Sequence, residues 1–304
     1  MTLRTEGAKM TKKHDYLEFP DIHKYATSEN LSEEVLVKAF GVEEQYHRLL
    51  LKEADFDNRV QLYDEFYSQL IPIYGRDTSL IDGVNHKDKY VKLFSKELEN
   101  ASVIDYGCGQ GHMLQSIDRQ LKTKGLLGID VVIPEGLKSH KTIRFIESNI
   151  INHEFEEQFD VAFSDNVLEH LVPKDALIHL ENIYKNLTTN GKLIIIMPNR
   201  LFGPWDVTRI KDYSQSGKLA AQGGHVNEST HTEMARQLKE IGFKKVSTIL
   251  PIPKLKYSIF KNVRIDTYWI EKIENSSALL KFFRRIKVRG VCQLKFPVTL
   301  IAQK

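Results

Sequence analysis

The chain has 304 residues, 41% hydrophobic and 27% charged, with a mean hydropathy of -0.34. That is ordinary globular composition and excludes disordered, collagenous and disulfide-scaffold classes. Net charge is only +3, but residues 254–295 hold eleven Lys or Arg against three acidic side chains, a local +8 on a body of net −5 that invites an anionic partner.

The polar start, residues 1–15, does not read as a secretory signal. The longest aliphatic run, 193–197, is far short of the ~20 residues of a membrane helix. Cys108 and Cys292 have neither a disulfide-framework nor a metal-ligand spacing. A cytoplasmic protein without a metal is therefore expected.

Residues 1–98 predict helices forming a lid or substrate region. Val60, Tyr63, Phe66, Tyr67 and Leu70 recur at three- and four-residue steps, and Pro72 and Gly75 punctuate that helix. From residue 99 the pattern becomes a core in which short β runs (102–106, 125–130, 143–147, 159–164, 192–197) alternate with amphipathic stripes. Met113, Leu114, Ile117 and Leu121 draw one stripe, and Ala176, Leu177, Leu180, Ile183 and Leu187 another. Such alternation predicts a parallel α/β sheet. Thr230 with Glu233 predicts a capping box opening a helix that ends near Gly242. Residues 243–250 and 296–302 supply the last two strands, with Pro297 at a strand start where no ladder donor is lost. Two insertions interrupt the core: 199–229, rich in Gly, His and Trp, and 251–290, basic and aromatic.

Between the first strand and its helix lies Val103-Ile104-Asp105-Tyr106-Gly107-Cys108-Gly109-Gln110-Gly111. Glycines there permit a sharp turn and close approach of a ligand to main-chain N–H groups at a helix start. Asp130, ending the second strand, can accept both ribose hydroxyls of a nucleoside. A nicotinamide fingerprint would need Gly or Ala at position 112, where the chain has His112. Cys108 reads as a small filler of the turn.

In these motifs, in order, the sequence resembles the class I S-adenosylmethionine-dependent methyltransferases. VIDYGCGQG stands as the cofactor turn, GLLGID as the ribose strand, RFIESNI as the adenine segment, FDVAFSDNVLEHL as the fourth strand and LTTNGKLIIIMPN as the fifth. The resemblance implies a Rossmann-like seven-stranded sheet with a reversed last strand and S-adenosyl-L-methionine at the strand ends. It assigns Gly107, Gly109 and Gly111 to the methionine part, with Asp105 at the amino group. Asp130 goes to the ribose, Asn149 to the adenine amino group, and Asp165 and Asn166 beside the methyl donor. Asn149 follows Ser148 where the family usually has Gly-Asp, and its side-chain carbonyl can serve the same bond.

Transfer from a sulfonium needs in-line positioning, and a base only when the acceptor is a hydroxyl. His170 and, more weakly, Glu169 stand at the right strand end to be that base. The insertion 199–229 is similar to that of a bacterial subgroup associated with surface polysaccharide or glycan biosynthesis, which carries Gly-Pro-His-Asp…Arg and then Gly-x-His-x-x-Glu. Asp206, Arg209 and His225 match it, and Trp205 replaces its first histidine. Trp205, Asp206, Arg209, His225 and Tyr67 are thus candidate substrate residues, His225 being also a candidate base. Asp206 with Arg209 is alternatively a loop-bracing ion pair. Tyr63, Tyr74 and Arg76 offer further polar groups from the lid.

The expected activity is O-methylation of a small-molecule or glycan acceptor, phosphate-bearing and lipid-linked acceptors included. N-methylation of an amino sugar or other amine is the alternative. RNA modification or nucleic-acid binding is disfavoured, because the basic segment has no aromatic recognition motif and the chain's pI is 8.6. Residues 279–289 have the composition of a helix lying on an anionic membrane, which would put the protein at the inner membrane surface.

Overall fold

A computed structural model of the chain describes residues 18–75, 84–251, 255–288, 291–292 and 296–304. Arg76, and Lys254, Arg289 and Lys295 among the basic residues counted above, lie outside these residues. Capping side chains start the long helices at the amino-terminal end: Ser32 accepts the Val35 N–H at 3.2 Å and Asp55 the Asn58 N–H at 3.0 Å. They open α2 (Glu33–Lys52) and α3 (Phe56–Tyr74), which follow α1 (Ile22–Glu29). Gly75, left-handed at φ 55°, closes α3 three residues after Pro72, which the helix's last turn accommodates. Leu36, Phe40, Tyr46 and Phe66 bury one shared apolar cluster between these helices, each such side chain contributing ~1.5–3 kcal/mol.

Next comes α4 (Asp88–Leu98), whose Val91, Leu93, Phe94 and Leu98 pack against the sheet rather than into that cluster. The core runs β1 (Ser102–Tyr106), α5 (His112–Gln120), β2 (Gly125–Asp130), α6 (Glu135–Lys138), β3 (Ile143–Glu147) and β4 (Phe159–Asp165). It continues with α7 (Pro173–Asn186), β5 (Leu187–Met197), α8 (His231–Ile241) and β6 (Lys245–Ile249). The basic segment then contributes β7 (Arg264–Asp266), α9 (Tyr268–Glu274), α10 (Ser277–Arg285) and the hairpin of β8 (Lys287–Val288) with β9 (Val291–Cys292), before β10 (Val298–Gln303).

The sheet has eight strands in the order β3-β2-β1-β4-β5-β10-β6-β7. Strands β3 to β5 are parallel, while β10 runs antiparallel between β5 and β6. This is the expected Rossmann-like sheet with its reversed strand, extended by one edge strand, β7, from the basic segment. The capping box at Thr230 and Glu233 is present, and α8 ends at Gly242. The helix expected through residue 289 stops at Arg285, where the chain turns extended. Its apolar residues are also divided: Leu280 is buried and Phe283 packs near Phe296, whereas Leu279, Phe282 and Ile286 are exposed.

Two buried polar joints fix the layers. Arg59 of α3 donates from Nε and Nη2 to the Asp175 carboxylate of α7 at 2.8 and 2.6 Å. The Tyr63 hydroxyl donates to the same carboxylate at 2.9 Å and accepts the Val172 N–H. On the other side His231 donates from Nδ1 to Glu274 at 2.8 Å and accepts the Thr299 N–H at Nε2, joining α8, α9 and β10.

Candidate active site

Strands β1, β2 and β4 end at one edge of the sheet, where ligands of open α/β sheets bind. The turn after β1 brings Gly107 to φ 70° and Gly109 to φ 52°. An added Cβ at Gly107 would stand 2.5 Å from Val167 Cγ2, so only glycine fits. Gly109 donates its N–H to Asp130 Oδ2 at 2.7 Å, locking the turn to the end of β2.

Above this edge lies a cavity of about 640 Å³. Gly107, Gly109, Asp130, Asn149 and Asn166 line one part of it; Tyr67, His170, Trp205, Asp206 and His225 line another, roofed by side chains of α1, α2 and α3. Ten of the residues singled out from the sequence thus share one cavity. Its described lining contains no Lys or Arg, while Glu29, Glu43, Asp130 and Asp206 all face it. That electrostatic balance suits a cationic or hydroxylated ligand.

Four expected residues sit elsewhere. Gly111 is left-handed at φ 68° and begins α5, and its Cα packs toward Phe145 and Leu137 rather than into the cavity. Asp165 is ion-paired with Lys87 at 2.5 Å. Arg209 stacks on Tyr213 and Tyr25, 4.3 and 4.9 Å from their centroids, with Glu29 at 3.7 Å. It therefore fastens the insertion to α1, and Asp206 is not its partner: that carboxylate accepts N–H groups from Thr208, Gly223 and His225. Asp105 is fully buried beneath the turn. Burial, with Asp165 nearby, holds its carboxyl well above the usual range, and Oδ1 has no hydrogen-bond partner among the described residues. Two lid tyrosines are also engaged: Tyr63 as described, and Tyr74 donating to Glu43 Oε1 at 2.7 Å. Trp205 is anchored by its indole N–H on Asn199 O at 2.8 Å, leaving its ring to line the cavity.

At the end of the cavity formed with the insertion, the short helical turn Leu168–His170 is stitched to the loop carrying His225. Val226 and Asn227 donate their N–H groups to Glu169 O at 2.8 and 3.0 Å, and His170 Nδ1 donates to Gly224 O at 3.1 Å. His225 Nδ1 meets Glu228 Oε1 at 2.7 Å. Burial disfavours the charged imidazole of His225, but Glu228, with Asp206 and Glu169 beyond, overrides it and raises the pKa to about 9. Burial lifts Glu169 to about 8, and neither of its carboxylate oxygens has a partner among the described residues.

Sequence reasoning passed over Glu43 of α2, which accepts the Gly224 N–H at 2.7 Å, and His47, which donates to Gly223 O at 2.9 Å. Burial, with Asp206 adding to it, raises Glu43 to about 7. The signal was there: Leu36, Ala39, Phe40, Glu43, Tyr46 and Leu50 form the buried stripe of α2, with one carboxylate among apolar residues.

A family model described as a methyltransferase domain matches residues 82–248. Among curated proteins, the carboxy-S-adenosyl-L-methionine synthase of Helicobacter pylori is 27% identical over 160 residues, 49% of this chain and 65% of that protein. The chain thus spans slightly less than two thirds of the length of this relative. The Campylobacter hominis protein of the same name is 24% identical over 229 residues, 68% of this chain and 94% of that protein. Among solved structures, the Burkholderia thailandensis 1,6-didemethyltoxoflavin-N1-methyltransferase with S-adenosylhomocysteine is 17% identical at a TM-score of 0.48, covering 83% of this chain and 92% of that one.

Proposed function

Since this chain belongs to the methyltransferase domain family, whose enzymes depend on S-adenosylmethionine, we propose that it methylates a hydroxyl of a small-molecule or glycan acceptor. One observation carries the reading: the cofactor-turn residues and a cluster of carboxylates, imidazoles and aromatic rings line the same cavity. The bound sulfonium supplies an already activated methyl group. Gly107, Gly109, Asp130 and Asn149 bind the cofactor, and Asp105 supports the turn from beneath. Trp205 and Tyr67 give flat faces for a sugar or other ring. His170 and His225 stand on the wall where the acceptor proton must leave for a hydroxyl to attack, His225 as the cation that its pKa of about 9 makes it.

The insertion's Pro204-Trp205-Asp206 and Gly224-His225…Glu228 support the glycan-biosynthesis subgroup, with the first histidine of that pattern replaced by Trp205. An amine acceptor is the second reading, favoured by Glu43 and Asp206 on the wall. The synthases' name points to a carboxylated cofactor. A further carboxylate would face Glu43 and Asp206 here, with His225 rather than a Lys or Arg as the cation on the described lining, which weighs against that product. The same balance leaves the phosphate of a phosphorylated acceptor outside the cavity.

The peripheral membrane contact belongs to this reading too. Trp269, Tyr268, Leu279 and Phe282 are exposed on α9 and α10 beside Lys272, Lys281 and Arg285, a combination that suits an anionic bilayer carrying a lipid-linked acceptor.

The test is incubation with methyl-labelled S-adenosylmethionine and a panel of nucleotide sugars, lipid-linked sugars, amines and RNA, with products identified by mass spectrometry. Label on a hydroxyl oxygen is expected. Label confined to amines or RNA, or a carboxylated cofactor as sole product, overturns the assignment.

A further inference from the structure

Glu169 is 1% exposed, and both its carboxylate oxygens lack a partner among the described residues. A buried carboxyl without a partner stays neutral unless a cation joins it, and a bound cation would turn it into a carboxylate. One ring nitrogen from each of His170 and His225 lies within 4.8 Å of a Glu169 oxygen and of the other. His225 Nδ1 is held by the Glu228 carboxylate at 2.7 Å and His170 Nδ1 by the Gly224 carbonyl at 3.1 Å. With Nδ1 donating to such an outer partner, Nε2 is the nitrogen a metal would take, displacing any proton carried there. Two N–H bonds onto Glu169 O keep the ligand-bearing segments in register.

We propose that Glu169, His170 and His225 hold a divalent first-row transition metal ion of the zinc type, with Glu228 as the carboxylate that positions His225. Two imidazoles and one carboxylate with an open position are a zinc ligand set. Ligands at ~2.0–2.2 Å from a common ion require the three side chains to close in slightly on binding. Since His170 and His225 line the cavity, the open position faces the acceptor and takes its oxygen. This use of the ion rests on the hydroxyl reading above; the site itself does not.

The experiment uses the full chain, stripped with a chelator and titrated with Co²⁺ alone while visible ligand-field absorption is followed, then back-titrated with Zn²⁺. Binding of S-adenosylhomocysteine is measured on the same samples by calorimetry. Expected are one Co²⁺ per chain, displaced by Zn²⁺, and at least tenfold weaker Co²⁺ binding in Glu169→Gln and His225→Gln. Glu228→Gln should weaken it ~10–100-fold, as loss of an outer partner does. Unchanged melting temperature and S-adenosylhomocysteine affinity qualify each variant as folded. Wild-type chain that binds S-adenosylhomocysteine yet gives no saturable Co²⁺ absorption overturns the metal site, whichever variants fold. Metal affinity indifferent to all three substitutions in folded variants does so too. A metal-binding chain that labels only amines leaves the site standing and overturns the acceptor reading alone.

Discussion

The Asp130 carboxylate already accepts the Gly109 N–H at 2.7 Å, so it shapes the glycine turn as well as facing the cavity. Asp130→Ala removes a charged acceptor, worth ~1.5–3 kcal/mol per bond. S-adenosylhomocysteine affinity should fall by about ten- to a hundredfold in calorimetry. An unchanged affinity would remove Asp130 from the cofactor site.

His179 presents a different kind of residue-scale effect. It is fully buried, donates from Nδ1 to Ile150 O at 2.8 Å, and burial lowers its pKa to about 4. In the unfolded chain it takes a proton from near ~6.5 downward, whereas the folded protein refuses one until about pH 4. Its contribution is complete above ~6.5 and is lost as pH falls from there to about 4, on the order of 3 kcal/mol across the window. Urea unfolding between those pH values should show a steeper loss of stability in wild type than in His179→Gln. Equal slopes would contradict it.

The candidate site was legible where chemistry is local. The glycine turn, Asp130, Asn149, His170 and His225 are each announced by neighbours in sequence, and all reach the cavity. Asp165 and Arg209 are held by partners the sequence could not announce, because they are remote: Lys87 lies 78 positions before Asp165, and Tyr25 and Glu29 belong to α1. Glu43 stood out as the one carboxylate on the buried stripe of α2, but its partner, the loop at Gly224, is remote in sequence.

At the scale of elements, α3 is held to α7 by the Arg59–Asp175 pair, both side chains at most 4% exposed. Breaking such a pair leaves a buried charge and costs ~3–5 kcal/mol. Arg59→Met should therefore destabilise by about that amount in urea unfolding. Arg59→Met combined with Asp175→Leu should recover part of the loss, since no uncompensated charge remains. A double variant no more stable than Arg59→Met would show that the geometry, not the charge, matters.

The capping box, the two apolar stripes and the strand pattern all became the elements they predicted, because each depends on near neighbours. The end of α10 did not. The chain leaves the helix at Ile286 to form the β8–β9 hairpin, and a two-stranded pairing leaves little periodicity to read. Phe282 of α10 and Trp269 of α9 point outward, 58% and 60% exposed. Sedimentation with anionic vesicles at low salt should retain the protein, and Trp269→Ala with Phe282→Ala should release it. Equal recovery with neutral and anionic vesicles would exclude electrostatic docking.

For the whole molecule, the placement of β10 governs how the sheet is completed. Val298–Gln303 pairs with Met197–Lys192 on one side, and Leu300–Gln303 with Thr248–Lys245 on the other. During synthesis β5 and β6 therefore exist for some 50 to 100 residues of elongation without the strand that belongs between them, each offering an unpaired edge of the kind that recruits foreign strands. The nucleotide half of the sheet, β1 to β4, is complete well before then. A ribosome-bound intermediate whose carboxyl-terminal half has not yet closed is where chaperone protection is needed most.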